Sequence, residues 1–531
     1  MARMNKQVGP FAVLLFLVAV FLVLAAVSWL FPPDGIRISE DIRLRFPGPR
    51  EILTPEDTQY ADISHLLEAL NNDEGLFLPD TGIVDRHDAY RYEEGEGING
   101  QEQRLVTDTS PHLQPDRLVE QLADDESDTL LTPVAGAGSI RSVLFPLEMP
   151  PGEDGVLDGF FSSLVRSGTG GDVPRIIHYG DSQIENNRIT SALRQNIQSK
   201  FGGSGTGMFP VISPAPHSAS VQVITRGNWT RYTPRGRGGE RSDHNRYGLL
   251  MSYCLAEPAG ADFAPASFTL RRTGTGPALS RIMNRLTVFT GFSQDTFVME
   301  FLAGGERKDT EPVLPGDSLS SVTWDLPRDA TEFTVRITGN GGVPVFAVSI
   351  DAENGVAVDN VPMRGSSGLE FTAADPALMK RMMDILNVRL VILQFGVNVV
   401  PDIADDYSWY EDALVRQLGF LKSVAPGASF IVAGVSDMSR RTAGGHYESY
   451  PNIELIRDAQ RNAAFRSGAA FWDLYEAMGG RNSMPSWVAA DPPLGQHDYV
   501  HFTFRGSALI GDMLYYAIMQ RYEEWAGNPG R

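Results

Sequence analysis

Cysteine is almost absent from this 531-residue chain; Cys254 stands alone. A disulfide scaffold, an iron–sulfur protein and a thiolate zinc site are thereby excluded. Basic charge is scarce too, 45 Lys plus Arg against 66 Asp plus Glu, and the resulting −21 argues against a nucleic-acid partner. No His/Asp/Glu cluster has metal-ligand spacing, so neither a metal nor another cofactor is expected. The glycine-rich Gly202-Gly-Ser-Gly-Thr-Gly207 lacks the lysine of a phosphate loop and reads as a flexible loop. Internal repeats and coiled-coil heptads are missing as well. What is present suffices for packed structure: 42% hydrophobic and 9% aromatic residues, over a length that holds two to four domains of roughly 150 residues.

The acid is unevenly spread. Residues 33–145 hold 24 Asp plus Glu against 9 Arg and no Lys, a net −15 of the −21. Poor in aromatics and broken by Gly and Pro, this stretch reads as an acidic, largely disordered, self-repelling tether, with a short helix near Ile63–Leu70. Ahead of it, Phe11 to Phe31 form an uncharged, nearly all-apolar run. At 1.5 Å per residue it spans about 31 Å, enough to cross a hydrocarbon core. Arg3 and Lys6 precede the run, so the positive-inside bias leaves the N-terminus in the cytoplasm and sends the remainder outward. The expectation is a single-pass protein of the inner (cytoplasmic) membrane with an extracytoplasmic, periplasmic C-terminal part. A signal peptide cleaved after Ala25-Ala26-Val27-Ser28 is the competing reading.

Three separated blocks carry chemistry. In Arg175-Ile-Ile-His-Tyr-Gly-Asp-Ser-Gln-Ile-Glu185, a short apolar strand meets Gly180 and then Ile184, Ile189, Leu193, Ile197 and Phe201 at near-helical spacing. Strand, sharp turn and helix expose the Ser182 hydroxyl at a sheet edge near a helix N-terminus, as a nucleophile requires. In Arg389-Leu-Val-Ile-Leu-Gln-Phe-Gly-Val-Asn398, a buried parallel strand ends at Gly396 and presents Asn398 where open α/β sheets place ligands. In His497-Asp-Tyr-Val-His-Phe-Thr503, Asp498 and His501 stand three apart, on one face of a helical turn. A carboxylate there can fix one imidazole nitrogen and leave the other as a base. Taken singly, each block also reads as ordinary turn and cap chemistry. His178, on the apolar strand, reads as structural rather than as a ligand.

Gly180-Asp181-Ser182, Gly396-x-Asn398 and Asp498-x-x-His501, in this order, resemble the SGNH (GDSL-type) hydrolase family, and in particular bacterial cell-envelope polysaccharide and peptidoglycan O-acetylesterases. The resemblance covers about residues 146–215 and 355–525. It implies an α/β, flavodoxin-like three-layer fold with a parallel sheet. It also implies Ser182 as nucleophile, His501 as base, Asp498 as its orienting partner, and an oxyanion hole from Ser182, Asn398 and a glycine. In Met363-Arg-Gly-Ser-Ser-Gly368 that glycine is Gly365, with Gly368 as competitor. Val399 stands where many members carry an acidic residue.

Between the first block and Gly365 the texture changes. Leu286–Thr290, Thr296–Phe301, Phe333–Ile337 and Val345–Ile350 largely alternate apolar and polar residues between Gly/Asp/Pro turns, which predicts an inserted β-sandwich. The predicted organisation is anchor 1–32, tether 33–145, hydrolase 146–215 and 355–531, and sandwich 216–354. Similar envelope esterases carry a carbohydrate-module-like sandwich here, which implies a glycan-positioning role; a sandwich that merely packs on the core is the alternative. Trp229, Tyr232 and Trp324 are candidates for a sugar-stacking platform, or else core. The expected function is a serine esterase removing O-acetyl or short acyl groups from an envelope glycan. The alternatives are an O-acyltransferase using the same residues with a membrane acyltransferase partner, and a non-catalytic glycan-binding protein.

Overall fold

Five short apolar strands form the central layer of the computed structural model, which describes residues 60–72, 145–167, 173–236, 238–257 and 265–527 and a few upstream positions (16, 19–20, 36–37 and 43–44). They are β1 (Arg175–Gly180), β2 (Ala357–Pro362), β3 (Val388–Gln394), β4 (Ser429–Ala433) and β5 (Ala470–Trp472). All pair in parallel, in the order β2-β1-β3-β4-β5. This is the flavodoxin-like order, whose direction reverses between β1 and β3 and leaves a crevice at the carboxyl ends of those strands.

The strands are near-continuous apolar runs because both faces of the sheet are covered. Ile176, Leu390 and Ile392 point to one face and Ile177, Val391 and Leu393 to the other, as a two-residue period dictates. The covering helices are α1 (Ser64–Asn72), α2 (Asp158–Ser167), α3 (Arg188–Phe201), α4 (Pro376–Ile385), α5 (Ser408–Val424), α6 (Ile453–Arg466) and α7 (Phe504–Ala526). Phe160 and Leu164 of α2, Leu193 and Ile197 of α3, and Leu509 and Met513 of α7 fill the first face. Met379 and Met382 of α4, Leu418 and Leu421 of α5, and Ala464 of α6 fill the second.

A β-sandwich of two antiparallel sheets interrupts this core. One sheet runs in the order Glu306–Val313, Phe297–Ala303, Glu332–Gly339, Ala266–Arg272, Val221–Arg226. The other runs Leu319–Asp325, Arg285–Gly291, Val343–Asp351, Tyr253–Glu257, Asn228–Tyr232. Phe333, Val335 and Ile337 point between the sheets while Thr334 and Arg336 point away, the alternation read from the sequence. The sandwich starts earlier than residue 216, because Gly207–Phe209 pairs with its long strand through Phe209 and Val348. A buried ion network joins the two parts. Arg175 of β1 reaches Asp359 of β2 at 2.6 Å and Asp351 of the sandwich at 2.5 Å, and Asp359 also accepts from the Met208 N–H at 2.8 Å.

The three aromatic candidates do not form a platform. Trp324 is core: it stacks on Phe301 with centroids 5.2 Å apart and donates to Asp309 at 2.8 Å. Its strand lies at the opposite edge of the sheet from the strand of Trp229 and Tyr232, four inter-strand spacings or about 19 Å away.

The expected anchor lies outside the described residues apart from Phe16, Ala19 and Val20, and most of the expected tether lies outside them too. Among the described residues no helix is long and apolar enough to cross a membrane. Residues 60–72 depart from the tether reading. Helix α1 docks on the hydrolase with Leu66 and Ala69 fully buried in the cluster of Met484 and Trp487. Ala61 donates to the Asn482 carbonyl at 3.2 Å and accepts from Ser486 at 2.7 Å. The short helix read near Ile63–Leu70 is there, at Ser64–Asn72; what composition averaged over 113 residues masks is the apolar surface it meets.

Candidate active site

The end of β1 sets the first component. Gly180 has no room for a side chain, since a Cβ there would lie 2.9 Å from the Gln394 carbonyl. The chain therefore turns tightly against β3, with the Asp181 N–H donating to Gln394 O at 3.3 Å. Ser182 does not open helix α3 directly, as the spacing of apolar residues suggests. A 3₁₀ turn, Ser182–Asn187, intervenes, capped by Asp181 accepting from the Gln183 N–H at 3.0 Å. Asn186 and Asn187, at φ +57° and +60°, break the path before α3 begins. Asparagine tolerates that left-handed region better than most residues.

The second component is the loop before α7. Asp498 and His501 are three apart on a turn rather than on a helix. The Asp498 Oδ1 accepts from the Val500 and His501 N–H groups, both at 3.0 Å, and Tyr499 sits at φ +59°. Gln496 N–H to His501 O, at 2.8 Å, closes the loop. Asp498 Oδ2 then lies 2.7 Å from His501 Nδ1, and His501 Nε2 lies 2.8 Å from Ser182 Oγ. A serine, a histidine and a carboxylate that are 319 and 3 residues apart are thus joined in one hydrogen-bonded chain. Partial burial pushes the Asp498 carboxyl up, but the bonds from His501 and the two N–H groups outweigh it and hold it at about 2. The carboxylate opposite the imidazole therefore stays ionised near neutral pH.

The third component is the loop after β2. Met363 N–H donates to Gly180 O at 2.7 Å, which brings residues 363–370 beside the serine turn. Of the two competing glycines, Gly368 spends its N–H on Ser366 Oγ at 2.9 Å and is buried, whereas Gly365, at φ +69°, lies half-buried on the wall of a cavity. Asn398 lies two residues after Gly396, whose φ of +130°, and the 2.7 Å that a Cβ there would leave to Val435, require glycine. One N–H of the Asn398 amide donates to Ser366 O at 2.9 Å. An amide nitrogen carries two such hydrogens, so this bond orients the group and leaves the second for another acceptor.

Several residues of the site have no local signature. Gln183 donates to Val500 O at 2.7 Å and Ser436 Oγ at 2.8 Å, clamping the serine turn to the histidine loop. Glu185 and Arg364 form a two-fold pair at 2.7 and 2.6 Å that ties the serine turn to the Gly365 loop. Both were inside recognisable blocks, but their partners lie 317 and 179 residues away. His178 is structural: it is buried between Thr190 at 2.9 Å and Gln394 at 3.1 Å, and burial holds its imidazole down at about 4.

Burial pushes the Asp181 carboxyl up to about 7, while the Gln183 N–H and the nearby His501 pull it down and Glu185 adds to the rise. An unfolded aspartate ionises near its ordinary 3.8, so between these two values the unfolded chain binds fewer protons and stability falls as pH rises. Asp181→Asn keeps the acceptor for Gln183 and removes that loss. Thermal melts from pH 4.5 to 8 are expected to show the variant gaining on the wild type with rising pH. A constant difference across the range contradicts the assignment.

Residues 315–509 match the GDSL-like lipase/acylhydrolase family. The match bears out the SGNH resemblance and, with it, the assignment as an ester hydrolase. It takes in Gly365, Asn398, Asp498 and His501 but not Ser182, which the sandwich separates from them. A solved structure of a peptidoglycan O-acetylesterase is similar over 69% of this chain and 96% of its own, at 19% identity and a TM-score of 0.55. At that identity the likeness is one of fold. Family two carbohydrate esterases from Cellvibrio japonicus (9% identity, 58% of this chain and 99% of that one, TM-score 0.21) and Clostridium thermocellum (11%, 57% and 100%, 0.23) overlap too loosely to carry an argument. No curated protein matches the chain in sequence.

Proposed function

We propose that the protein is a membrane-anchored, extracytoplasmic serine esterase that removes O-acetyl or other short acyl groups from an envelope glycan. The observation that carries the mechanism is the chain Ser182 Oγ–His501 Nε2–Asp498 at 2.8 and 2.7 Å. Ser182 attacks the ester carbonyl as His501 takes its proton, and Asp498 holds the imidazole in the tautomer that can do so. The developing oxyanion is met by the N–H groups of Ser182 and Gly365 and by the Asn398 amide. The alcohol leaves with the proton returned by His501, and water, deprotonated by the same base, releases the acid from the acyl-serine.

Support for a glycan ester comes from the O-acetylesterase of similar fold and from the sandwich inserted beside the site. The uncharged run from Phe11 to Phe31 behind Arg3 and Lys6 supports the anchor and the outward orientation.

The test is acetate release by the full-length protein from p-nitrophenyl acetate and from O-acetylated peptidoglycan, with and without added sugar acceptors. Release from both that ignores the acceptors is the expected result. Slow release, with the acetyl group appearing on an acceptor sugar, would replace this reading by an acyltransferase.

A further inference from the structure

A cavity of about 520 Å³ opens between the sandwich and the hydrolase, a size typical of ligand pockets. Its hydrolase wall includes Gly365 and Ser366, and Asn398 holds that same Ser366 carbonyl from the other side. Glu185, three residues beyond Ser182, is also on this wall. The cavity thus shares the Gly365 loop and the end of the serine turn with the site around Ser182.

The charges lining the cavity do not cancel. Arg364 is paired with Glu185, and Arg235 with Glu370 at 3.2 Å. Arg231, from the sandwich edge strand Asn228–Tyr232, is the cation left over. Among the described residues its guanidinium donates only to the Gly238 carbonyl, at 2.7 Å, it forms no ion pair, its buried Nε makes no hydrogen bond, and Glu185, already held by Arg364, acts on it only through its charge. A half-buried guanidinium without an ion-paired carboxylate is costly to leave uncompensated. Its planar fork suits a carboxylate. A doubly charged phosphate fits less well, because Glu185 and Glu370 stand in the same lining.

We propose that this cavity is a subsite for a carboxylate carried by the acylated glycan, with Arg231 as its ligand. The proposal rests on the glycan-esterase reading and adds a substrate class to it: acidic glycans in preference to neutral ones. The carboxylate could belong to a uronic-acid ring or to a peptide-substituted sugar, and the substrates below separate the two.

The experiment compares full-length wild type, Arg231→Gln and Arg231→Lys on three substrates: O-acetylated polygalacturonate, O-acetylated muropeptides and neutral O-acetylated xylan. The wild type should favour one of the acidic substrates, and which one identifies the source of the carboxylate. Losing one charge-assisted contact should reduce that preference about 10- to 100-fold in Arg231→Gln, through KM rather than kcat, with partial recovery in Arg231→Lys. Equal losses on acidic and neutral substrates, or none, would overturn the proposal. Calorimetric binding of a trigalacturonate and a muropeptide to Ser182→Ala, with and without Arg231→Gln, measures the same contact independently of turnover. Failure of the esterase reading appears as no hydrolysis of any ester, whereas failure of the subsite appears as binding that ignores Arg231.

Discussion

Replacing Ser182 by alanine is expected to lower ester turnover by a factor on the order of 10⁶, the scale seen when a serine-protease nucleophile is removed. The hydroxyl's hydrogen-bond partner is the proposed base, His501 Nε2 at 2.8 Å, so its loss removes the proposed attacking atom and little else. Folding should be unaffected, because Ser182 is half-buried and the turn is held by Asp181, Gln183 and Gly180 rather than by the hydroxyl. Three readings on one preparation check this: kcat on p-nitrophenyl acetate, the intact mass after rapid quenching, and the thermal midpoint. The wild type should add the mass of an acetyl group and the variant none, at unchanged midpoint. A variant retaining a tenth of the activity would mean that another group carries the acyl transfer.

Asn398→Ala is expected to cost about 100- to 1,000-fold in kcat, the range for removing one oxyanion donor. Two effects combine. In the proposed mechanism the amide supplies a donor to the developing negative charge, and its bond to Ser366 O at 2.9 Å holds the loop that carries Gly365. Asn398→Asp separates them from simple packing. It keeps the shape but places a carboxylate against the Ser366 carbonyl and against the oxyanion, so it should be at least as slow as the alanine variant. KM should change little in both, since the interaction belongs to the transition state. Activity within two-fold of wild type in Asn398→Ala would remove Asn398 from the oxyanion hole.

Much of the architecture was readable because it is written locally. Within the runs at 175–180, 388–394 and 429–433, residues 176–177, 390–393 and 430–433 are apolar in succession, as a strand covered on both faces requires. The alternation at 333–337 is the opposite signature, one face in and one out, and it set the sandwich apart. The Asp498–His501 spacing was legible, but its local shape was not. Three-apart spacing suits a helix and a turn alike, and only the two N–H groups captured by Asp498 decide for the turn. The same limit applies to Gly365 and Gly368, which differ through where Ser366 Oγ points.

The sequence by itself determined the apolar strands of the hydrolase, the insertion that divides it, and the blocks at 180–182, 396–398 and 498–501, whose resemblance to a known family implied the layers. These depend on residue type and on spacing within a dozen positions. The tertiary structure alone decided what crosses the chain: that the segment of α1 leaves the acidic stretch to dock beside Asn482 and Ser486, that Gln183 holds Val500, that Trp324 is core, and that Arg231 faces a cavity without an ion-pair partner among the described residues. Side-chain partners roughly 180 to 420 residues apart are chosen by packing and by the burial of charge, and neither leaves a mark in the neighbouring residues.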